Sequence, residues 1–99
     1  MFMVREVLNC RPGKVGALAK KFKELGGVMS ELGLEPFRVY TDVSGAPFWT
    51  LVLERDYTSL DEILEVEGRV MSDERAGSVM SGYHELIVEG RREIYKVEA

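Results

Sequence analysis

The hydrophobic periodicity of this chain runs strand, helix, strand, strand, helix, strand, and that order uses nearly all of its 99 residues. Phe2–Asn9 is rich in strand formers and is closed by Cys10-Arg11-Pro12-Gly13. Pro12 suits the first turn of a helix, where a missing N–H matters little. From Val15, apolar residues recur at Leu18, Ala19, Phe22, Leu25 and Met29, with Lys20, Lys21, Lys23 and Glu24 opposite. Gly26-Gly27 inside this stripe costs about 1 kcal/mol per glycine relative to alanine, and marks close backbone packing or a kink near Val28. Gly33 is the expected helix stop.

Glu35–Val43 and Phe48–Glu54 read as the second and third strands. The short Ser44-Gly45-Ala46-Pro47 connection between them demands a hairpin. In the third strand, Trp49, Leu51 and Leu53 alternate with Phe48, Thr50 and Val52, so both faces are largely apolar. A strand apolar on both sides is buried on both sides. Ser59-Leu60-Asp61-Glu62 has the form of a capping box, followed by Leu60, Ile63, Leu64, Val70 and Met71 at helical spacing. Ser72-Asp73-Glu74-Arg75 predicts a break near Met71–Asp73, after which Val79, Met80, Tyr83 and Leu86 continue the helical pattern. Glu89-Gly90 is expected to turn the chain into a last strand, Arg92–Glu98. The pattern defines one α+β domain over residues 1–99, a four-stranded antiparallel sheet with two main helices on one face. Two helices cannot cover both sides of that sheet. An exposed apolar face is an association site, so a homodimer through the sheet is expected.

Charge and motifs exclude several classes. A net charge of −4 and a pI near 5.0 argue against nucleic acid and against an anionic membrane surface as partners. Arg91-Arg92 is too short a basic run to reverse that. The single cysteine, Cys10, allows no internal disulfide and reads as a small apolar residue at a strand end. Met1-Phe2-Met3-Val4 is interrupted at once by Arg5-Glu6, unlike a signal peptide, and no apolar run approaches the ~20 residues of a membrane span. A reducing, cytoplasmic location is expected. Metal-ligand spacing, a phosphate loop, a dinucleotide fingerprint and a nucleophile elbow are all missing, so no cofactor and no metal is expected.

Few residues remain as candidates. His84, the only histidine, is suited to proton transfer, or is a solvated helix-end residue. Glu67 falls on the apolar stripe between Leu64 and Met71, so its carboxylate leans toward the sheet as an acid or base, or pairs with an arginine. Arg38, Tyr40 and Asp42 share one face of the second strand, and Glu93 and Tyr95 one face of the fourth. Such groups line either a pocket for a planar molecule or a wet dimer interface. A pocket between the sheet and the second helix would be built from Tyr40, Trp49, Glu67, Tyr83 and His84. In it His84 would be the acid or base, and Glu67 its partner or a ligand anchor. In a straight helix Glu67 and His84 would lie ~25 Å apart, so their pairing requires the break.

The strand leading into Arg11-Pro12-Gly13-Lys14-Val15, the long helix, the hairpin with Trp49 and the closing Gly90-Arg91-Arg92-Glu93-Ile94-Tyr95 together resemble the dimeric α/β-barrel superfamily of ferredoxin-like domains. Its NIPSNAP-like and antibiotic-biosynthesis-monooxygenase-like groups are the most similar. The resemblance implies a homodimer whose two sheets form a closed barrel with helices outside, and a cleft between sheet and helices. Haem-degrading members use an asparagine, a tryptophan and a histidine. This chain has Asn9, Trp49 and His84, but its tryptophan falls in the hairpin rather than near the second helix.

Three functions follow from these readings. The first is a homodimer that binds a small apolar or aromatic ligand without chemistry. The second is a cofactor-free monooxygenase acting on an easily oxidised aromatic substrate, with the protein supplying positioning and one base. The third is a purely structural dimerisation module. Whether the chain is an enzyme stays open, because sites grafted on a fold carry function and the fold does not choose among them.

Overall fold

A single antiparallel sheet of four strands, in the order β2-β3-β1-β4, carries all the helices on one face in the computed structural model, which describes Met1–Ala99. In chain order the elements are β1 (Phe2–Cys10), α1 (Val15–Glu31), β2 (Arg38–Thr41), β3 (Thr50–Tyr57), α2 (Leu60–Met71), α3 (Glu74–Val79), a 3₁₀ turn (Tyr83–Leu86) and β4 (Ile87–Lys96). This is the ferredoxin-like α+β arrangement that the order of periodicities predicts.

The core is the layer between α1, α2 and the covered sheet face. Leu18 and Met29 of α1 and Leu51 and Leu53 of β3 are almost completely buried. Ile63 and Val66 bring α2 onto the same cluster. The α1 stripe is as the sequence predicts. Gly26 lets the loop after the helix approach closely, since a β-carbon there would stand 3.3 Å from Pro36 Cβ. Gly33, with φ of 76°, supplies the left-handed residue that ends the helix.

Helix α2 starts where the capping box places it. Ser59 Oγ accepts from Glu62 N–H at 3.1 Å. The Glu62 carboxylate reaches back to the Thr58 backbone N–H at 2.6 Å and to the Thr58 hydroxyl, one residue earlier than a simple box. The break before α3 also falls as expected, with the Asp73 carboxylate accepting from Arg75 N–H at 2.8 Å as the new cap.

Several boundaries differ from the sequence expectation. β2 is only Arg38–Thr41, and β3 is Thr50–Tyr57 rather than Phe48–Glu54. The connection between them is therefore residues 42–49, not a tight turn. Side chains organise it: Asp42 Oδ1 accepts from Thr50 N–H at 2.9 Å, and the Thr50 hydroxyl donates to Pro47 C=O at 2.6 Å. Trp49 is not mid-strand but sits in the loop with φ of 68°. The last strand begins at Ile87, because Gly82, with φ of 78°, turns the chain earlier than Glu89-Gly90. Gly90 instead lies within β4 opposite Leu8, where a β-carbon would come within 2.7 Å of Leu8 Cδ2.

These shifts change the character of the uncovered sheet face. β3 presents Val52, Glu54 and Asp56 to it, not the apolar run expected from Phe48 onward. Arg38 lies 3.7 Å from Glu54, Glu54 accepts from Arg5 Nε at 2.7 Å, and Arg5 lies 3.6 Å from Glu93. The ladder thus crosses all four strands. Below it runs a row containing Tyr40, Val52 and Val7 in register. The exposed hydrophobic groups have moved to the 42–49 loop, where Val43 is 98% and Phe48 87% exposed.

Candidate ligand-binding cleft

Between the covered sheet face and the α2–α3–3₁₀ segment lies a cleft of about 530 Å³. That volume lies within the range of small-molecule sites. Its floor is Leu8 and Leu53, and its walls include Phe22, Val70 and Met80. One end is polar, where Glu6, Glu67 and Arg92 are bonded together; Tyr83 and His84 also line the cleft. The apolar body follows from the alternation of β1 and β3 and from the buried stripe of α2.

The polar end is built on Arg92 of β4. Its Nε and Nη2 donate to Glu6 Oε1 at 3.1 and 2.7 Å, and Nη2 also donates to Glu67 Oε1. Glu6 and Arg92 are directly opposite in the β1–β4 register, and Glu67 reaches them from α2. Burial works to lower the pKa of Arg92, but the bonds to Glu6 and Glu67 outweigh it and raise the value above its ordinary one. The break after Met71 brings Tyr83 and His84 to the same cleft. Their rings stack at 3.9 Å between centroids, tilted by 35°.

The Tyr83–His84 wall is pinned from outside. Lys21 Nζ donates to Ser81 C=O at 2.9 Å and Val79 C=O at 3.3 Å, tying the end of α3 to α1. Arg11 donates through its backbone N–H to Leu86 C=O at 2.9 Å and through Nε to Glu85 C=O at 3.0 Å. Arg69 Nη2 donates to Leu32 C=O at 2.9 Å, fixing the other wall to the end of α1.

Of the five residues singled out from the sequence, Glu67, Tyr83 and His84 line this cleft. Tyr40 does not: it points to the uncovered sheet face, because residues of β2 alternate and Val39 takes the inward position. Trp49 does not either, since it belongs to the 42–49 loop. Glu67 and His84 share the cleft without a hydrogen bond between them. The carboxylate is taken by Arg92, and the imidazole makes no hydrogen bond with the protein. Glu6 and Arg92 were missed. Their only sequence signal is placement on the inward side of β1 and β4, where a charged pair needs a purpose. No group of histidine, cysteine and acidic residues has metal-site geometry. No helix is long and apolar enough to cross a membrane.

Fold and cleft together define a ferredoxin-like domain with a pocket under its second helix. A NIPSNAP family protein of unknown function from Agrobacterium tumefaciens shares this fold with a TM-score of 0.82 and 23% identity, over 98% of this chain and 87% of that one. A candidate antibiotic biosynthesis monooxygenase from Nitrosomonas europaea gives 0.74 and 13%, covering 100% of both chains. A dimeric protein of unknown function and ferredoxin-like fold from Bacteroides fragilis gives 0.60 and 13%, over 96% of each. No protein-family model matches the chain, and no curated protein does. The likeness to these solved structures is one of fold, as the sequence resemblance to the dimeric α/β-barrel superfamily implies.

Proposed function

We propose that the protein is a homodimeric small-molecule-binding domain whose ligand occupies the cleft beneath α2. The observation that carries this is the cleft itself, about 530 Å³ of mostly apolar wall with its charged groups gathered at one end. Dimerisation through the uncovered sheet accompanies it. That face has an apolar centre at Val7 and Val52, and Tyr40, Tyr95 and an arginine–glutamate ladder around it, the composition of a wet interface. The similarity in fold to a dimeric ferredoxin-like protein is in keeping with a dimer. A thermal-shift screen with haem, flavins, quinones and polyketide-like aromatics tests the binding reading, because a specific ligand stabilises by mass action. A saturable rise in Tm that disappears in Val66→Trp, which fills the cleft, is the expected result. A chain that dimerises but responds to no ligand would instead be the purely structural module.

A second reading, a cofactor-free oxygenase, is favoured by one feature. The His84 imidazole lines the cleft with both ring nitrogens free of protein hydrogen bonds, though the residue is also exposed to solvent, and a cleft-side histidine is the group such chemistry would use as its base. The similarity in fold to a candidate monooxygenase points the same way. Oxygen uptake with a bound aromatic, abolished in His84→Ala, would establish it.

A further inference from the structure

The charged end of the cleft is not symmetric in sign. Two carboxylates, Glu6 and Glu67, flank one guanidinium, Arg92, so its formal charge is −1. Every bond in the triad uses a single oxygen of each carboxylate: Arg92 reaches Oε1 of Glu6 and Oε1 of Glu67. The Oε2 atoms of both residues make no hydrogen bond with the protein, and both side chains are partly buried, at 26% and 29% exposed. The cleft therefore offers unfilled acceptors beside an apolar body, in the shelter of a partly desolvated site where charge acts more strongly than in water. Tyr83 and His84 add aromatic surface elsewhere in the same cleft, and a ring face turned to a ligand favours a cation over an anion. The rim is apolar as well: Met71, 82% exposed, stands at the mouth.

The geometry points to a cationic amphiphile as the ligand of this cleft, an amine carried on a hydrophobic or aromatic body. Its ammonium hydrogens would donate to Glu6 Oε2 and Glu67 Oε2 while the body fills the space over Leu8 and Leu53. An aromatic carboxylate would meet two carboxylates and one guanidinium already engaged by them, and is disfavoured by the same charge count. This inference rests on the cleft being a ligand site and adds the sign of the ligand's charge.

A matched series separates the two ideas: phenylbutylamine, phenylbutanol and phenylbutanoate share one body and differ only in the head. Binding is measured by NMR titration of the full chain, following the methyl groups of Met71 and Met80. The amine is expected to bind at least about tenfold more tightly than the acid, with the alcohol between them, a difference of about 1.4 kcal/mol. Glu67→Gln keeps an acceptor for Arg92 but removes the net charge, and is expected to bring amine and acid within about threefold. Arg92→Gln makes the end more negative and should widen the preference. Acid binding as tightly as amine in the unaltered chain overturns this inference and leaves the cleft reading intact. Amine shifts that fall on Tyr40 and Tyr95 of the other sheet face, rather than on Met71 and Met80, also overturn it. If none of the compounds binds, the cleft reading falls with it.

Discussion

Arg55 shows how much a single side chain carries in so thin a core. It is 4% exposed, points to the helix side of β3 and has no carboxylate within ion-pair distance. Instead Nε donates to Glu35 C=O at 2.7 Å, Nη1 to Asp56 C=O at 3.3 Å, and the guanidinium lies 4.4 Å from the centre of the Tyr57 ring. A buried charge held by carbonyls and a ring keeps the loop before β2 against the sheet. Arg55→Ala is expected to lower stability by about 2–4 kcal/mol, read by urea denaturation, because charge-assisted bonds and packing are lost together. Glu67 was legible as a carboxylate leaning toward the sheet or pairing with an arginine, and it pairs with Arg92, although the Leu64–Met71 stripe that suggested it is itself exposed. Trp49 was not. Alternation counts residues as though the strand continued, and it cannot see that the Asp42 side chain stands in for a backbone partner and lets the loop run to residue 49. The buried Cys10 agrees with its sequence reading: burial, and less so the nearby Asp42, pushes its thiol pKa up and makes it a poor nucleophile.

At the scale of elements, the helix caps and stops were the most readable features. They are local, so sequence spacing states them directly. Which α2 side chains face inward was less readable: Ile63 and Val66 are buried, while Leu60, Leu64 and Met71 are exposed, because the helix is rolled toward β3 by its contact there. Bonded carboxylates at these caps and on β4 set the acid response. The Thr58 hydroxyl and backbone N–H hold the Glu62 carboxyl below its ordinary pKa, Arg75 does so for Asp73, and Arg91 and Tyr95 do so for Glu93. A carboxyl with a depressed folded pKa contributes stability that is present above its unfolded value and lost as pH falls through the folded one. Tm should therefore hold steady near neutrality and fall as pH drops below about 4, the ordinary carboxylate range. Glu62→Gln should flatten that acid limb, as followed by circular dichroism at a series of pH values. A variant whose acid limb is as steep as that of the parent would mean that the α2 cap contributes nothing there.

The whole molecule is a slab of 35 × 35 × 18 Å, one sheet with one helix layer. Its accessible surface is 6272 Å², against about 5,700 Å² expected for a monomer of this mass. The excess is what an uncovered sheet face and a splayed 42–49 loop produce. The architecture was legible from the order of periodicities, because two amphipathic helices need one sheet face; the β2–β3 hairpin was expected too, but from a tight turn that is in fact the 42–49 loop. The charged ladder on the other face was not, because its members lie far apart in sequence and meet only through strand register. That ladder does not remove the case for pairing. The exposed apolar contribution comes chiefly from Phe48 and Val43 of the loop, with Val52 of β3 at the centre of the face. A second copy laid on this face is expected to bury more than the ~1,000 Å² of a specific interface. Light scattering coupled to size exclusion, run across micromolar concentrations, tests this most directly. The account predicts twice the 11.2 kDa chain mass, falling to the single-chain mass in Val52→Lys with the fold retained. A mass of 11.2 kDa for the unaltered chain throughout that range would contradict it.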